Sequence, residues 1–300
     1  IKTGDGTLEL KGPNAYTGTT TISGGTLKTS GSGTLDNFTD VTVTSGANYI
    51  AGNADTISVL DNEGTVNVNQ DLTASDITGG GGIAIANSMT LTANNANASI
   101  YTGDISGDGG LKKTGGQKLT LQGNNTYSGG TTVSDGTLDT TGGGKLADTG
   151  AVTVNGSGTY TVGTADTIGV LDNSGTVNVD QDLTASDITG GGGLAIDSST
   201  TLTAVNTTND SIYTGDISGD GGLTKTGGQK LTLQGNNTYK GGTTVSDGTL
   251  DTTGGGTLAN TGAVTVSGAY TVGTADTIGV LSNSGTVNVN ENLTASDITG

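Results

Sequence analysis

The strongest constraint on this chain is that its sequence returns on itself about every 111 residues. Gly64-Thr-Val-Asn-Val68 comes back as Gly175-Thr-Val-Asn-Val179 and again as Gly285-Thr-Val-Asn-Val289. Leu72-Thr-Ala-Ser-Asp-Ile-Thr78 comes back starting at Leu183 and at Leu293. Near-identical units do not close one globule around a unique interior. Each packs on its neighbours and the array extends. The copies run 1–111, 112–223 and 224–300, the first diverged and the third truncated. They read as one continuous solenoid in which neighbouring repeats of the same chain are the main partners.

Apolar residues come as short alternating runs such as Leu119-Thr-Leu121, Val152-Thr-Val154 and Val177-Asn-Val179. Period-two alternation of β-branched residues marks half-buried strands. This pattern outweighs a composition of 57 glycines, 30% hydrophobic and 3% aromatic residues, which by itself approaches the disordered range. No window of a dozen residues reads at helical period without a glycine breaking it, so essentially no helix is expected. In copy two the apolar nuclei are Leu119, Val133, Leu138, Val152, Val162, Ile168, Val177, Leu183, Ile188, Leu194, Leu202, Ile212 and Ile217, separated by Gly-Gly, Asp-Gly, Ser-Gly and Asn-Asn turns. Three nuclei per coil give about five coils per unit. At roughly 4.8 Å per stacked strand, the chain makes about 13 to 15 coils and a rod roughly 65–70 Å long.

The charge balance is 28 acids against 10 bases, all lysine, for a net −18. Such a chain repels nucleic acid and anionic lipid. With no cysteine there is no disulfide framework and no thiolate, as suits a protein exported unfolded. Ile1-Lys2-Thr3-Gly4 begins no signal peptide, and no 18-residue apolar stretch spans a membrane as a helix. The sequence opens in mid-unit and Ile298-Thr-Gly300 stops where Ile77 and Ile188 run on into glycines. It therefore reads as a slice of a longer array whose uncapped strand edges stack end to end.

One run is more specific than the rest. Gly110-Leu-Lys-Lys-Thr-Gly-Gly-Gln-Lys-Leu-Thr-Leu-Gln-Gly-Asn-Asn-Thr-Tyr-Ser-Gly-Gly-Thr-Thr-Val-Ser-Asp-Gly-Thr-Leu138 recurs almost unchanged at Gly222–Leu250, and in diverged form at Ile1–Leu27. Its Leu-x-Leu, Gly-x-Asn-x-Tyr, Gly-x-Thr-x-Val and Gly-x-Leu elements resemble the autotransporter-associated β-strand repeat, also called the passenger-associated transport repeat. Copy one departs at Pro13 and Ala15, where the others carry Asn and Thr. The resemblance implies a right-handed parallel β-helix in the secreted passenger of a Gram-negative autotransporter or a large surface adhesin. It also implies a role in export and in building the stalk, without catalytic residues.

Two residue types are candidates for binding. The eight tyrosines fall into three register families, Tyr16/Tyr127/Tyr239, Tyr49/Tyr160/Tyr270 and Tyr101/Tyr213. They read either as aromatic platforms for glycan rings or as covers for strand ends with the hydroxyl in water. Asp104, Asp108, Asp216 and Asp220 lie in glycine-rich turns and offer hard oxygens to Ca²⁺. The nonapeptide calcium repeat and EF-hand spacing are both missing, and a turn Asp more commonly bonds its own backbone. Asp76, Asp187 and Asp297, each in Asp-Ile-Thr-Gly or its counterpart, make a weaker case.

Other readings fall away. The glycine runs 79–82, 142–144 and 190–193 lack the Gly-Lys-Ser/Thr of a phosphate loop, and Lys145 is Thr34 and Thr257 in the other copies. A parallel β-helix enzyme gathers a unique set of catalytic groups, whereas here every acid is spread by repetition and there is no histidine or arginine. Rows of Thr on an ice-binding face would need a Thr tract in every coil, and such tracts recur only once or twice per unit. Asn124 and Asn236 sit in Asn-x-Thr triplets expected by chance. The sequence thus reads as a non-enzymatic, cofactor-free stalk of a large secreted or cell-surface bacterial protein. Such a stalk extends a distal adhesive part and self-associates end to end or side by side into fibres. The alternative is a glycan- or self-binding array built on the Tyr rows.

Overall fold

The computed structural model describes all 300 residues. It contains 32 strands and no helix, and it forms a parallel β-solenoid of about 15 turns. Every strand pairing between named strands is parallel, with partners displaced by 17 to 23 residues, as in Thr56↔Thr73 and Leu194↔Ile217. That displacement is one coil. Main-chain hydrogen bonds therefore run from coil to coil, and each coil lends its neighbour the donors and acceptors a lone strand leaves open.

Two compact units divide the chain, Ile1–Gly150 and Ala151–Gly300. Each has three columns of stacked strands. In the second unit one column runs Val152, Leu171, Ile188 and on through Leu231, Leu250 and Tyr270. Another runs Tyr160, Val177, Leu194, Ile217. The third runs Asp166, Leu183, Leu202, Leu223, Thr243, Val264, Leu281. In the first unit the columns run Leu8–Leu27–Tyr49–Val66–Ile83–Ile105, Val41–Leu60–Ile77, and Asp55–Leu72–Leu91–Leu111.

The core is a narrow interior of alternate side chains. Twelve of the thirteen nuclei read from copy two are buried, with at most 2% exposure. Ile212 is the correction: it is 50% exposed. In Ser211–Tyr213 the alternation turns Ser211 and Tyr213 inward and Ile212 out, so the aromatic ring takes the interior place. The same inversion exposes Ile100 beside buried Tyr101.

Glycine is required where coils pass closest. A Cβ on Gly103 would stand 1.9 Å from the Gly81 carbonyl oxygen, and one on Gly215 2.0 Å from that of Gly192. No side chain fits there, which accounts for the Thr-Gly-Asp turn in both copies.

Equivalent positions do not stay in one column. Asp166 stacks on Leu183 in the third column of its unit. Its copy-three counterpart Asp276 accepts from the Leu258 amide, whose strand continues the column of Ile217 through Asn237 and the Asn236↔Thr257 bridge. Likewise Leu8 and Leu27 of copy one lie in one column of the first unit, while their counterparts Leu119 and Leu138 stack on Ser99 in the column of Ile77 and Tyr101. A copy is not a whole number of coils, so each copy starts one column further round.

Candidate binding faces and buried polar sites

The tyrosines do not form a surface row. Tyr49, Tyr101, Tyr127, Tyr160, Tyr213, Tyr239 and Tyr270 are at most 1% exposed, and only Tyr16, at 45%, is open. For those seven this corrects both sequence readings, because their rings fill the interior and their hydroxyls are not in water. The Tyr127 hydroxyl lies 2.7 Å from Thr131 Oγ1 and that of Tyr239 2.6 Å from Thr243 Oγ1. Tyr213 donates to the Gly192 carbonyl at 2.7 Å, and Tyr101 makes the equivalent bond to Gly81. Burial pushes the phenols of Tyr49, Tyr101, Tyr239 and Tyr270 well above the ordinary tyrosine range, and that of Tyr213 up to about 12.

The turn carboxylates are exposed and each serves its own neighbourhood. Asp104 and Asp216 accept the amides of Asn124 and Asn236, both at 2.7 Å, across one coil. Asp108 accepts from Ser128 Oγ at 3.4 Å, and Asp220 pairs with Lys240 at 2.7 Å. They cap turns of successive coils. Nowhere do three His, Cys, Asp or Glu side chains converge on a point that would hold a metal ion. Asp76 and Asp187 are instead buried, and accept from the amides of Asn97 and Asn206 at 2.8 and 2.9 Å. Asp297 is exposed and bonds the Ile298 amide.

Two polar grooves recur at counterpart positions. One, of about 340 Å³, is lined by Thr34, Asn37, Asp55 and Asp71; the other, of about 320 Å³, by Thr257, Asn260, Asp276 and Asn292. Their central carboxylates are already engaged. Asp55 accepts the amides of Leu35 and Thr56 at 2.9 Å, and Asp276 those of Leu258 and Thr277 at 2.8 Å. Burial raises both carboxyls above the ordinary range against those bonds.

The sequence reading missed the buried lysines. Lys113 and Lys225 are 0% exposed. Lys113 Nζ donates to the carbonyls of Thr114, Gly115 and Asp135 at 2.6, 2.7 and 3.1 Å. Lys225 repeats the arrangement on Thr226, Gly227 and Asp247 at 2.6, 2.7 and 3.3 Å. Lys2 does so on Thr3, Gly4 and Gly24. Three carbonyls satisfy three ammonium protons without any carboxylate. Burial nevertheless wins and pulls the Lys113 and Lys225 amines down to about 8, with Asp135 and Asp247 opposing most. A signal was present: Leu111-x-Lys113 and Leu223-x-Lys225 put the lysine on the same strand face as a core leucine.

The molecule is therefore, by class, an all-β solenoid of stacked repeats. Within it, residues 1–28, 111–139 and 223–251 match the passenger-associated-transport-repeat. The chain carries three such repeats in a β-solenoid, consistent with an autotransporter passenger. No curated protein and no solved structure matches it.

Proposed function

We propose that the chain is the repeat region of a secreted or surface-exposed passenger, a non-catalytic stalk that carries an adhesive part away from the bacterial cell. The observation that carries this reading is the three transport repeats set among parallel strands that pair from coil to coil within each unit. Near-identical copies extend the array, and their surfaces use polar groups on neighbouring coils rather than gathering them at one point. The glycan reading of the tyrosines has only Tyr16 left as an open ring.

The test is to place the chain between an outer-membrane anchor and a reporter binding domain. The expected result is a reporter raised further from the cell, with no cell or glycan adhesion above that of the anchor alone once the reporter is removed. Adhesion by the chain alone would replace the stalk with a binding array.

A further inference from the structure

Within Ala151–Gly300 one column turns a hydroxyl outward on every coil. Its registers run Thr167↔Thr184, Thr184↔Thr203, Thr203↔Thr224, Thr224↔Thr244, Thr244↔Thr265 and Thr265↔Ser282. Two residues further along lie Ser186, Val205, Thr226, Ser246, Ser267 and Ser284. From Val205 onward they stand one place past the paired strands, where the amides of Val205, Thr226, Ser246, Ser267 and Ser284 bond the carbonyls of Ala185, Ala204, Lys225, Val245 and Val266 on the preceding coil. All thirteen are partly or fully exposed, and none is charged in a chain with 28 acids. The threonine hydroxyls make no hydrogen bond within the protein; among the serines, Ser267 and Ser284 pair at 3.3 Å and Ser284 Oγ also reaches the Val266 carbonyl at 3.3 Å. The comparable row in Ile1–Gly150, Thr56–Thr73–Thr92–Lys112–Thr132, is broken by a lysine.

Repetition in the sequence does not produce these rows. They arise because different segments, Leu183–Gly190, Thr201–Ala204, Gly222–Lys225 and Thr243–Val245, each put Thr at the same outward register. The result is a grid about 4.8 Å from coil to coil and roughly 6.6–6.8 Å between rows. Threonine is held to few rotamers by its branched Cβ, and the ladder beneath fixes its backbone, so the grid is preorganised. Every point except Val205 both donates and accepts, and each Thr adds a methyl. A neutral face with no aromatic ring offers little to an ion, a charged polymer or an isolated sugar. Its spacings approach those of oxygens on the prism faces of hexagonal ice.

We propose that the Thr167–Ser282 face is a binding surface for ordered water, with ice as its ligand. A stalk needs no such face, so this activity stands beside the function proposed above.

The test is uptake of the labelled full chain into slowly grown ice, together with inhibition of ice recrystallisation. Thr203→Lys and Thr244→Lys place a charge in mid-row. Thr224→Val removes a hydroxyl while keeping the shape. Asn178→Lys alters an outward position of another column and serves as control, and melting of every variant reports its fold. The expected result is uptake at least tenfold above an acidic protein of similar charge, lost in both lysine variants, reduced in Thr224→Val and kept in Asn178→Lys. Background uptake of the unaltered chain overturns the proposal, as does equal uptake by all variants. A dimer in liquid water that Thr203→Lys abolishes, with no ice uptake, would give the face to a second copy instead.

Discussion

Asn173 Nδ2 donates to the Tyr213 hydroxyl at 3.0 Å although a whole coil, carrying Gly190, lies between them. The same amide reaches the Gly193 carbonyl at 3.0 Å, and Asn173 Oδ1 accepts from Gly175 N. Asn62, Gly79 and Tyr101 repeat the arrangement in the first unit. Glycine in the middle coil leaves the gap through which the outer two coils meet.

That relationship predicts the order of two mutants. Tyr213→Phe keeps the ring but strips the Asn173 amide and the Gly192 carbonyl of a buried partner, costing about 1–3 kcal/mol. Gly190→Ala should cost more, because its Cβ would fall 2.1 Å from the Asn173 carbonyl oxygen at a φ of +101°. Urea midpoints for the two variants give the comparison. A neutral Gly190→Ala would show that the coils are free to part.

The buried lysines predict an unusual pH dependence. Their folded pKa of about 8 lies below the unfolded value near 10.4. Between those values the unfolded chain binds more protons, so stability rises with pH. Below about 8 the cost of burying both charges is present in full. Above about 10 the raised phenols act oppositely, since the unfolded tyrosines ionise first. Urea midpoints should therefore climb from pH 7 to pH 9.5, and Lys113→Met with Lys225→Met should flatten the climb. A midpoint that falls over this range contradicts the assignment.

Tyr127 separates packing from recognition. Tyr127→Ala should lower stability by about 3–5 kcal/mol, as for other large-to-small core changes. Tyr127→Phe removes the hydroxyl that bonds Thr131 and should leave any glycan or cell binding unchanged. Weaker binding by a fully folded Tyr127→Phe would mean that the ring comes to the surface.

Calcium should matter little. Asp104, Asp108, Asp216 and Asp220 are each engaged singly and exposed. Chelation should leave the melting temperature within about a degree. A rise of several degrees on adding millimolar Ca²⁺ would show that two such turns share an ion.

Much of the fold was legible because period-two alternation and stacking are local. Val152-Thr-Val154 announces its strand, and three nuclei per coil give the coil length. The tyrosines were harder to place, since Ser-Ile-Tyr offers two residues able to fill the interior and only the neighbouring coil decides between them. Lys113 reads as a surface charge until three carbonyls are seen to close around it. The Thr167–Ser282 row was invisible for another reason. Its members belong to unrelated segments, and their alignment depends on coil lengths that vary from 17 to 21 residues.

The stepping of equivalent positions from column to column has a mechanical consequence. Each repeat brings the same close-packed glycines and the same tight turns. Were they stacked in line, they would make a seam along one side, and load would open it. Turned one column at each copy, they act like the crossed grain of plywood, so a crack started at one weak point meets a different ply in the next.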